Sequence, residues 1–334
     1  MLILAKATLA IMLGFIIALG LGFILIPMLK KFKFKQNVSQ TVGERHLAKQ
    51  GTPTIGGLIF IIATLLGLVI LYLRGSIEIS ANLIIVLFVF LSYALLGFVD
   101  DFLKIKYKNN KGIKISTKLL IQGFITLVFF YIFMRHGGEP NVTISSLGIN
   151  IHLGWFYGIF IFFVLVGTTN AVNLSDGLDG LATGLSIIAF IAYGLITWNT
   201  TWMTGYQEVA IFSFILIGAL MGFLVFNSHP AKIFMGDTGA LALGGALGTI
   251  AIITRHEFSL LLIGGVFVIE ALSSLIQIYM IKKHKKKVFL MAPIHHHFEQ
   301  LGWEEQDIVK AFWIVGLLFA MAAIIYGVWI PPIV

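Results

Sequence analysis

The sequence predicts an all-α integral membrane protein of about ten transmembrane helices, with both termini external, a small external β-hairpin and one polytopic domain over 1–334. Composition sets the class. Hydrophobic residues make up 58% of the 334 and charged residues 11%, and the mean hydropathy is +0.98, which leaves too little polar side chain to clothe a soluble globule. Apolar runs near the roughly 20 residues that cross a bilayer then recur at about 3–29, 54–73, 81–103, 117–134, 153–172, 178–198, 207–226, 239–254, 258–281 and 308–330. The first reads as a retained span, because its run is too long for a cleaved leader and no small-x-small site follows it. The absence of cysteine excludes disulfides and thiolate chemistry.

Orientation follows from the 23 basic residues. Taking the loops alternately, one side collects Lys30, Lys31, Lys33, Lys35, Arg45 and Lys49, then Lys104, Lys106, Lys108, Lys111, Lys114 and Lys118, then Lys232, then Lys282, Lys283 and Lys285 to Lys287. The other side holds only Lys6, Arg74, Arg135 and Arg255, and Lys310 sits near the inner start of the last span. The rich side is therefore cytoplasmic. Because the basic residues flank spans, the net charge of +8 suits anionic lipid head groups or a phosphorylated substrate, and nucleic acid is not expected as a partner.

The adjacent carboxylates Asp100-Asp101, with Lys104 one turn on, lie at the inner end of the third span. A charge at a span centre costs about 2.5–3.5 kcal/mol, so such residues belong at wet helix ends or at sites. The pair fits either a hydrated helix end or a place for a divalent cation, a phosphate ester or a proton in transit. Upstream, Lys49-Gln-Gly-Thr52-Pro53-Thr54-Ile-Gly56-Gly57 places Thr52 as N-cap and Pro53 as first residue of the second span, an end that attracts anions or is simply a glycine-rich helix start. The alternation of Val142, Ile144, Ile149 and Ile151 predicts the external hairpin.

Between spans five and six runs Asn170-Ala-Val-Asn173-Leu-Ser-Asp176-Gly-Leu-Asp179-Gly180. Asp176 reads as a cap of the sixth span with Asp179 in its first turn, or, with the asparagines and glycines beside them, as a surface that reads the edge of a base or sugar. The next inner loop, Asn227-Ser-His229-Pro-Ala-Lys232-Ile-Phe234-Met-Gly236-Asp237-Thr238-Gly239, offers Phe234 as a membrane anchor or a stacking face, and Asp237 as another membrane-edge carboxylate. In the ninth span Glu270, Ser273, Ser274 and Gln277 form one polar stripe, which must face protein or a wet cleft. In the last inner loop His295, His296 and His297 read as an extended segment whose side chains alternate, which suits phosphate contact or proton transfer better than three-fold ligation of one ion. Inner-face Asp, Asn, Lys and His residues in five loops describe an interfacial enzyme that meets a soluble anionic substrate on one side and a lipid substrate in the bilayer.

GTPTIGG at 51–57, the Asp pair with Lys104, NLSDGLDG at 173–180, NSHPAKIFMGDTG at 227–239 and PIHHHFE at 293–299 resemble the polyprenyl-phosphate N-acetylhexosamine 1-phosphate transferases over nearly the whole chain. The unbroken PIHHHFE resembles that family's muramoyl-pentapeptide branch, from which Ser175 departs where threonine is common. The resemblance implies transfer of phospho-MurNAc-pentapeptide from UDP-MurNAc-pentapeptide to undecaprenyl phosphate in a bacterial cytoplasmic membrane, giving lipid I and UMP with Mg2+, and it allows a homodimer. By the same resemblance Asp237 is the magnesium ligand and a catalytic residue with Asp100, Asp101 and His295. Lys49, Asn173, Asp176, Asp179, Asn227 and Phe234 form the nucleotide and phosphate site, with Phe234 on uracil, and Lys104, Lys118 and His295 contact phosphates. Thr54, Gln277, His296 and His297 complete the substrate contacts. Three other readings stay open: a relative that transfers another sugar phosphate such as GlcNAc 1-phosphate, a transporter of a phosphorylated solute, and a lipid-binding scaffold.

Overall fold

The computed structural model describes residues 3–32, 51–107, 112–144, 149–200 and 205–329. Its helices are α1 (Ile3–Lys31), α2 (Gly57–Leu73), α3 (Ala81–Lys106), α4 (Ile115–Arg135), α5 (Tyr157–Ser175), α6 (Leu181–Asn199), α7 (Tyr206–Asn227), α8 (Gly236–Ile253), α9 (Ser259–Ile263), α10 (Gly265–His284), α11 (Ile294–Gln300) and α12 (Glu305–Trp329). Among the described residues nine helices are long and apolar enough to cross a membrane, and α2 is a shorter apolar helix in the position of the expected second span. The strands β1 (Asn141–Ile144) and β2 (Ile149–His152) pair antiparallel with Val142 opposite Ile151, the expected hairpin.

The centre of the bundle is α7 and α8, whose residues are nearly all buried, while α1, α4, α5, α10 and α12 keep long apolar faces outward. Exposed Phe124, Phe163, Leu275 and Leu318 belong to these faces and suit lipid, not water. Beyond Asp237, α8 is built from Gly, Ala, Leu, Ile and Thr, and its small glycines and alanines let backbones approach closely in a membrane bundle. On α3, Gly97 faces the Asp237 carbonyl so closely that any Cβ there would collide with backbone. That contact brings Asp100 and Asp101, about one turn further along α3, beside the start of α8.

Two expected boundaries move. The second span starts at Gly57 with Gly56 as N-cap, not at Thr52 and Pro53. The preceding segment is used instead as a backbone partner: Phe234 N–H donates to Pro53 O, Gly56 N–H to Phe234 O and Gly57 N–H to Met235 O, each at 2.9 Å. The expected ninth span divides at Gly264 into α9 and α10.

At the hairpin end a polar group runs from between the helices to the surface. Tyr157 O–H donates to Glu257 Oε1 at 2.6 Å, Tyr193 O–H donates to the His256 carbonyl, and the Arg255 guanidinium meets Glu139 at 2.8 Å. Burial pushes the Glu257 carboxyl up to about 7 and the His256 imidazole down to about 4.

Candidate active site

Asp237, in the first turn of α8, is the hub of the opposite end of the bundle. Asn173 on α5 donates its side-chain N–H to Oδ1 at 2.8 Å, while Lys118 on α4 and Lys104 on α3 bring their ammonium groups to 3.1 and 3.2 Å of Oδ2. Four helices therefore meet on one carboxylate. Lys104 also lies 2.6 Å from Asp100 Oδ2, so its helical partner is the residue four before it. Asp100 Oδ1 accepts the Ile113 N–H at 2.8 Å, which ties the α3–α4 connection to the site.

Asp101 has different company. Its Oδ1 accepts the Asp237 N–H at 3.2 Å, and its Oδ2 accepts both the N–H and the hydroxyl of Thr238, at 2.9 and 2.7 Å. It thus caps the N-terminus of α8 from a neighbouring helix, satisfying donors that have no partner within α8. Gly236, at φ +73°, sits where a Cβ would meet Asp101 Oδ2 and, at 2.9 Å, Thr54 Oγ1, which puts Thr54 at the rim of the same cluster.

The Asp176–Asp179 loop departs from the expected capping. Asp176 is the C-cap of α5, and Gly180, in the left-handed region, is the N-cap of α6. Asp176 accepts the Gly236 N–H, and its carboxyl is pushed well above the usual carboxylate range by removal from water and then by the negative charges of Asp237 and Asp101. Asp179 is buried and accepts the Ala231 N–H at 3.0 Å, while its own N–H donates to Glu305 Oε1 at 2.7 Å. Asn227 is fully engaged inside the protein: its Oδ1 accepts from Thr183 Oγ1 at 2.6 Å and its Nδ2 donates to Ile233 O at 3.0 Å. It fixes the turn that presents Phe234, whose ring is half-buried. Lys49 lies outside the described residues.

The histidine segment is a short helix, α11, not an extended strand. Its start follows Pro293, and Ser273 Oγ accepts the Ile294 N–H at 3.0 Å. Side chains therefore fan around an axis, and each histidine has its own partner. His295 Nδ1 lies 2.9 Å from Glu270 Oε2 with both side chains fully buried, and His295 Nε2 points at Gly177, where a Cβ would not fit. His296 pairs with Glu299 at 2.5 Å, and His297 Nδ1 accepts the Leu290 N–H at 3.1 Å. The polar stripe of α10 is buried as expected, and it clamps this segment: Gln277 Oε1 accepts from Val288 and Phe289, and its Nε2 donates to Phe289 O at 2.8 Å. Gln277 is thus spent on backbone.

The structure brings Asp100, Asp101, Asp176, Asp237, Lys104, Lys118, Asn173 and Thr54 into one cluster, with His295 behind the Asp176–Asp179 loop. Sequence reasoning missed Thr238, Glu270 as the partner of His295, and the approach of His229 to Asp179 and Glu305 at 3.2 and 3.5 Å. Thr238 was recoverable as a polar residue in a first turn. The other pairings join distant segments and leave no local signal.

Residues 83–255 match the family model for glycosyl transferase family 4. A protein of Geobacillus sp. named phospho-N-acetylmuramoyl-pentapeptide-transferase is 47% identical over 322 residues, covering 96% of this chain and 98% of its own length. A Bacillus subtilis protein of the same name is 45% identical over 320 residues, covering 96% and 97%, and one from Anoxybacillus flavithermus is 47% identical over 320 residues, covering 95% and 97%. With identity at this level along nearly the whole length of each relative, the chain belongs to the phospho-N-acetylmuramoyl-pentapeptide transferase family.

Proposed function

We propose that the chain transfers phospho-MurNAc-pentapeptide from UDP-MurNAc-pentapeptide to undecaprenyl phosphate, forming lipid I and UMP for peptidoglycan synthesis at the cytoplasmic face of a bacterial membrane. The observation that carries the reading is the Asp237 cluster, where carboxylates and lysines from separate helices converge at the end of the bundle that the basic-residue asymmetry assigns to the cytoplasm. A phosphate oxygen of the lipid forms a bond to the sugar-linked phosphorus, the bond from that phosphorus to the UMP oxygen breaks, and UMP leaves with the electron pair. Both reactants are anions, so the protein's task is alignment and charge neutralisation.

Lys104 and Lys118 are held by Asp237 and Asp100 at a fixed spacing, which presents two ammonium groups to the phosphates without reorganisation at the moment of reaction. Asn173 fixes the Asp237 carboxylate from the other side. Phe234 offers its half-buried ring to the uracil, and Asp176 and Asp179 offer acceptors to the base and ribose. His295, set by Glu270, supports the loop that carries Asp176 and Asp179, and the lipid chain approaches along the outward apolar faces.

The donor set suits magnesium. Four carboxylates face two lysines among the described residues of the cluster, all ligating atoms are hard oxygens, and Asp237 with Asp100 would hold the ion. When bound, the ion supplies charge neutralisation of the pyrophosphate and its leaving oxygen. Purified protein mixed with UDP-MurNAc-pentapeptide, undecaprenyl phosphate and magnesium should release UMP in step with a lipid-linked product. Release with UDP-GlcNAc in its place, and none with the muramoyl donor, would move the chain's substrate to another sugar phosphate.

A further inference from the structure

Apart from the carboxylates around Asp237, a second set of metal-ligand side chains converges at the same end of the bundle, from three separate segments. Asp179 comes from the α5–α6 loop, His229 from the α7–α8 loop and Glu305 from the first turn of α12, and their ligand atoms all lie within 4.8 Å of one another. We infer that Asp179, His229 and Glu305 form a binding site for a zinc-class divalent transition-metal ion, and that its occupancy withdraws Asp179 from the nucleotide. The second clause rests on the assignment of Asp179 under Proposed function; the first does not.

Two of the three separations are those of a coordination polyhedron. His229 Nδ1 lies 3.2 Å from Asp179 Oδ2 and 3.5 Å from Glu305 Oε2. Zinc binds imidazole nitrogen and carboxylate oxygen at about 2.0–2.2 Å, so neighbouring ligands of a tetrahedral ion stand about 3.3–3.6 Å apart. The two carboxylates, no more than 4.8 Å apart, need close only to that tetrahedral spacing for an ion to enter.

Outer contacts already aim the ligands. Glu305 Oε1 is held by the Asp179 N–H at 2.7 Å, which turns Oε2 toward His229, and Asp179 Oδ2 is steadied by the Ala231 N–H at 3.0 Å. Such support is what orients the ligands of a metal site. Asp179 is buried, Glu305 half-buried and His229 exposed, so the open side lies at the imidazole and leaves a fourth position for water. A nitrogen ligand in a set of three favours zinc, cobalt or nickel over magnesium, which prefers six oxygens. The two clusters therefore select different ions.

The competing account is an imidazolium of His229 bridging two carboxylates with no ion. Cobalt decides between them, because tetrahedral Co2+ absorbs visible light. Full-length protein in detergent, freed of its affinity tag and of metal by a chelator, should bind one Co2+ per chain with an intense visible band that Zn2+ abolishes and excess Mg2+ does not. H229A, H229Q and E305Q should each weaken that binding by more than about tenfold, while D237N keeps it. No band in the wild type, or the same band in H229A and H229Q, overturns the site. Zn2+ should also inhibit transfer by wild-type protein and not by H229A. A wild-type Co2+ band with no zinc inhibition, or with equal inhibition of H229A, leaves the metal site standing and overturns the withdrawal of Asp179 from the nucleotide.

Discussion

Asp101 Oδ2 accepts two hydrogen bonds from one residue, the N–H and the hydroxyl of Thr238, at 2.9 and 2.7 Å. With the Asp237 N–H on its other oxygen, Asp101 holds the first turn of α8 in place, whereas its neighbour Asp100 faces Lys104. The adjacent aspartates thus have different surroundings. Asp101→Asn replaces an oxygen that accepts from Thr238 with a donor or weakens it, and Thr238→Val removes the hydroxyl. Hydrogen bonds to a charged group contribute about 1.5–3 kcal/mol, so each variant should unfold at lower temperature in detergent, with reduced turnover as a consequence. Asp100→Asn gives up a contact with the part-exposed Lys104, which keeps Asp237 as a partner, so it should lower the melting temperature less and turnover more. Equal melting temperatures for all three would remove the distinction.

Asp237 and Lys118 touch, yet their loss should read differently. Asp237→Asn keeps a side-chain oxygen near Asn173 and Lys118 but removes the charge that a hard cation prefers. Turnover should fall by at least about a hundredfold, the scale for one preorganised electrostatic group, and the remnant should need more magnesium. Lys118→Gln should raise the donor KM while the magnesium requirement stays where it was. A magnesium series on both variants checks this, and identical shifts would count against Asp237 as the ligand.

Much of the fold is legible in the sequence because a membrane span is a local property of about 20 residues. The hairpin follows from alternation over eight strand residues. Thr52-Pro53 misled because a good helix start was instead used as a backbone partner for Phe234, a tertiary demand that no local pattern shows. The histidines misled for a related reason, since their helix is secured by Ser273 and Glu270 on another element. In the site, each carboxylate was visible as an expensive residue at a span end. Which carboxylate touches Lys118 or Thr238 was not, because those partners are more than a hundred residues away.

Phe234 is held by its backbone on both sides, so its ring can be changed without moving the loop. Phe234→Ala should weaken nucleotide binding by about 1–3 kcal/mol, the range for base stacking on an aromatic side chain, and Phe234→Trp should keep most of it. Titration of UMP onto purified protein measures both. Equal binding by all three proteins would make the ring a membrane anchor.

Orientation can be tested directly in this cysteine-free chain. Cysteine at Asn150, exposed in β2, should label from outside intact cells, and cysteine at Lys285, exposed just past α10, should label only after permeabilisation. The reverse pattern would place the Asp237 cluster on the wrong side for a cytoplasmic nucleotide.

Glu257 makes a prediction about pH that does not involve the transfer reaction. Its carboxyl is buried at the hairpin end, Oε1 takes the Tyr157 hydroxyl, and Oε2 has no partner among the described residues. Burial raises its pKa from 4.5 to about 7, against the smaller pull of Tyr157 and Arg255 toward the charged form. The folded protein therefore binds more protons than the unfolded chain between those two values. Its stability contribution is fully present below about 4.5 and declines as the pH rises through about 7, at up to about 1.4 kcal/mol per pH unit. Glu257→Gln keeps an acceptor for Tyr157 and cannot ionise, so it should lack this decline. Thermal unfolding of both proteins across this range cancels other titrating groups in the difference: the variant should gain on the wild type as pH rises from 4.5 to 7, then hold a constant lead. A difference that is flat with pH would mean that the Glu257 carboxyl titrates alike in the folded and unfolded chains.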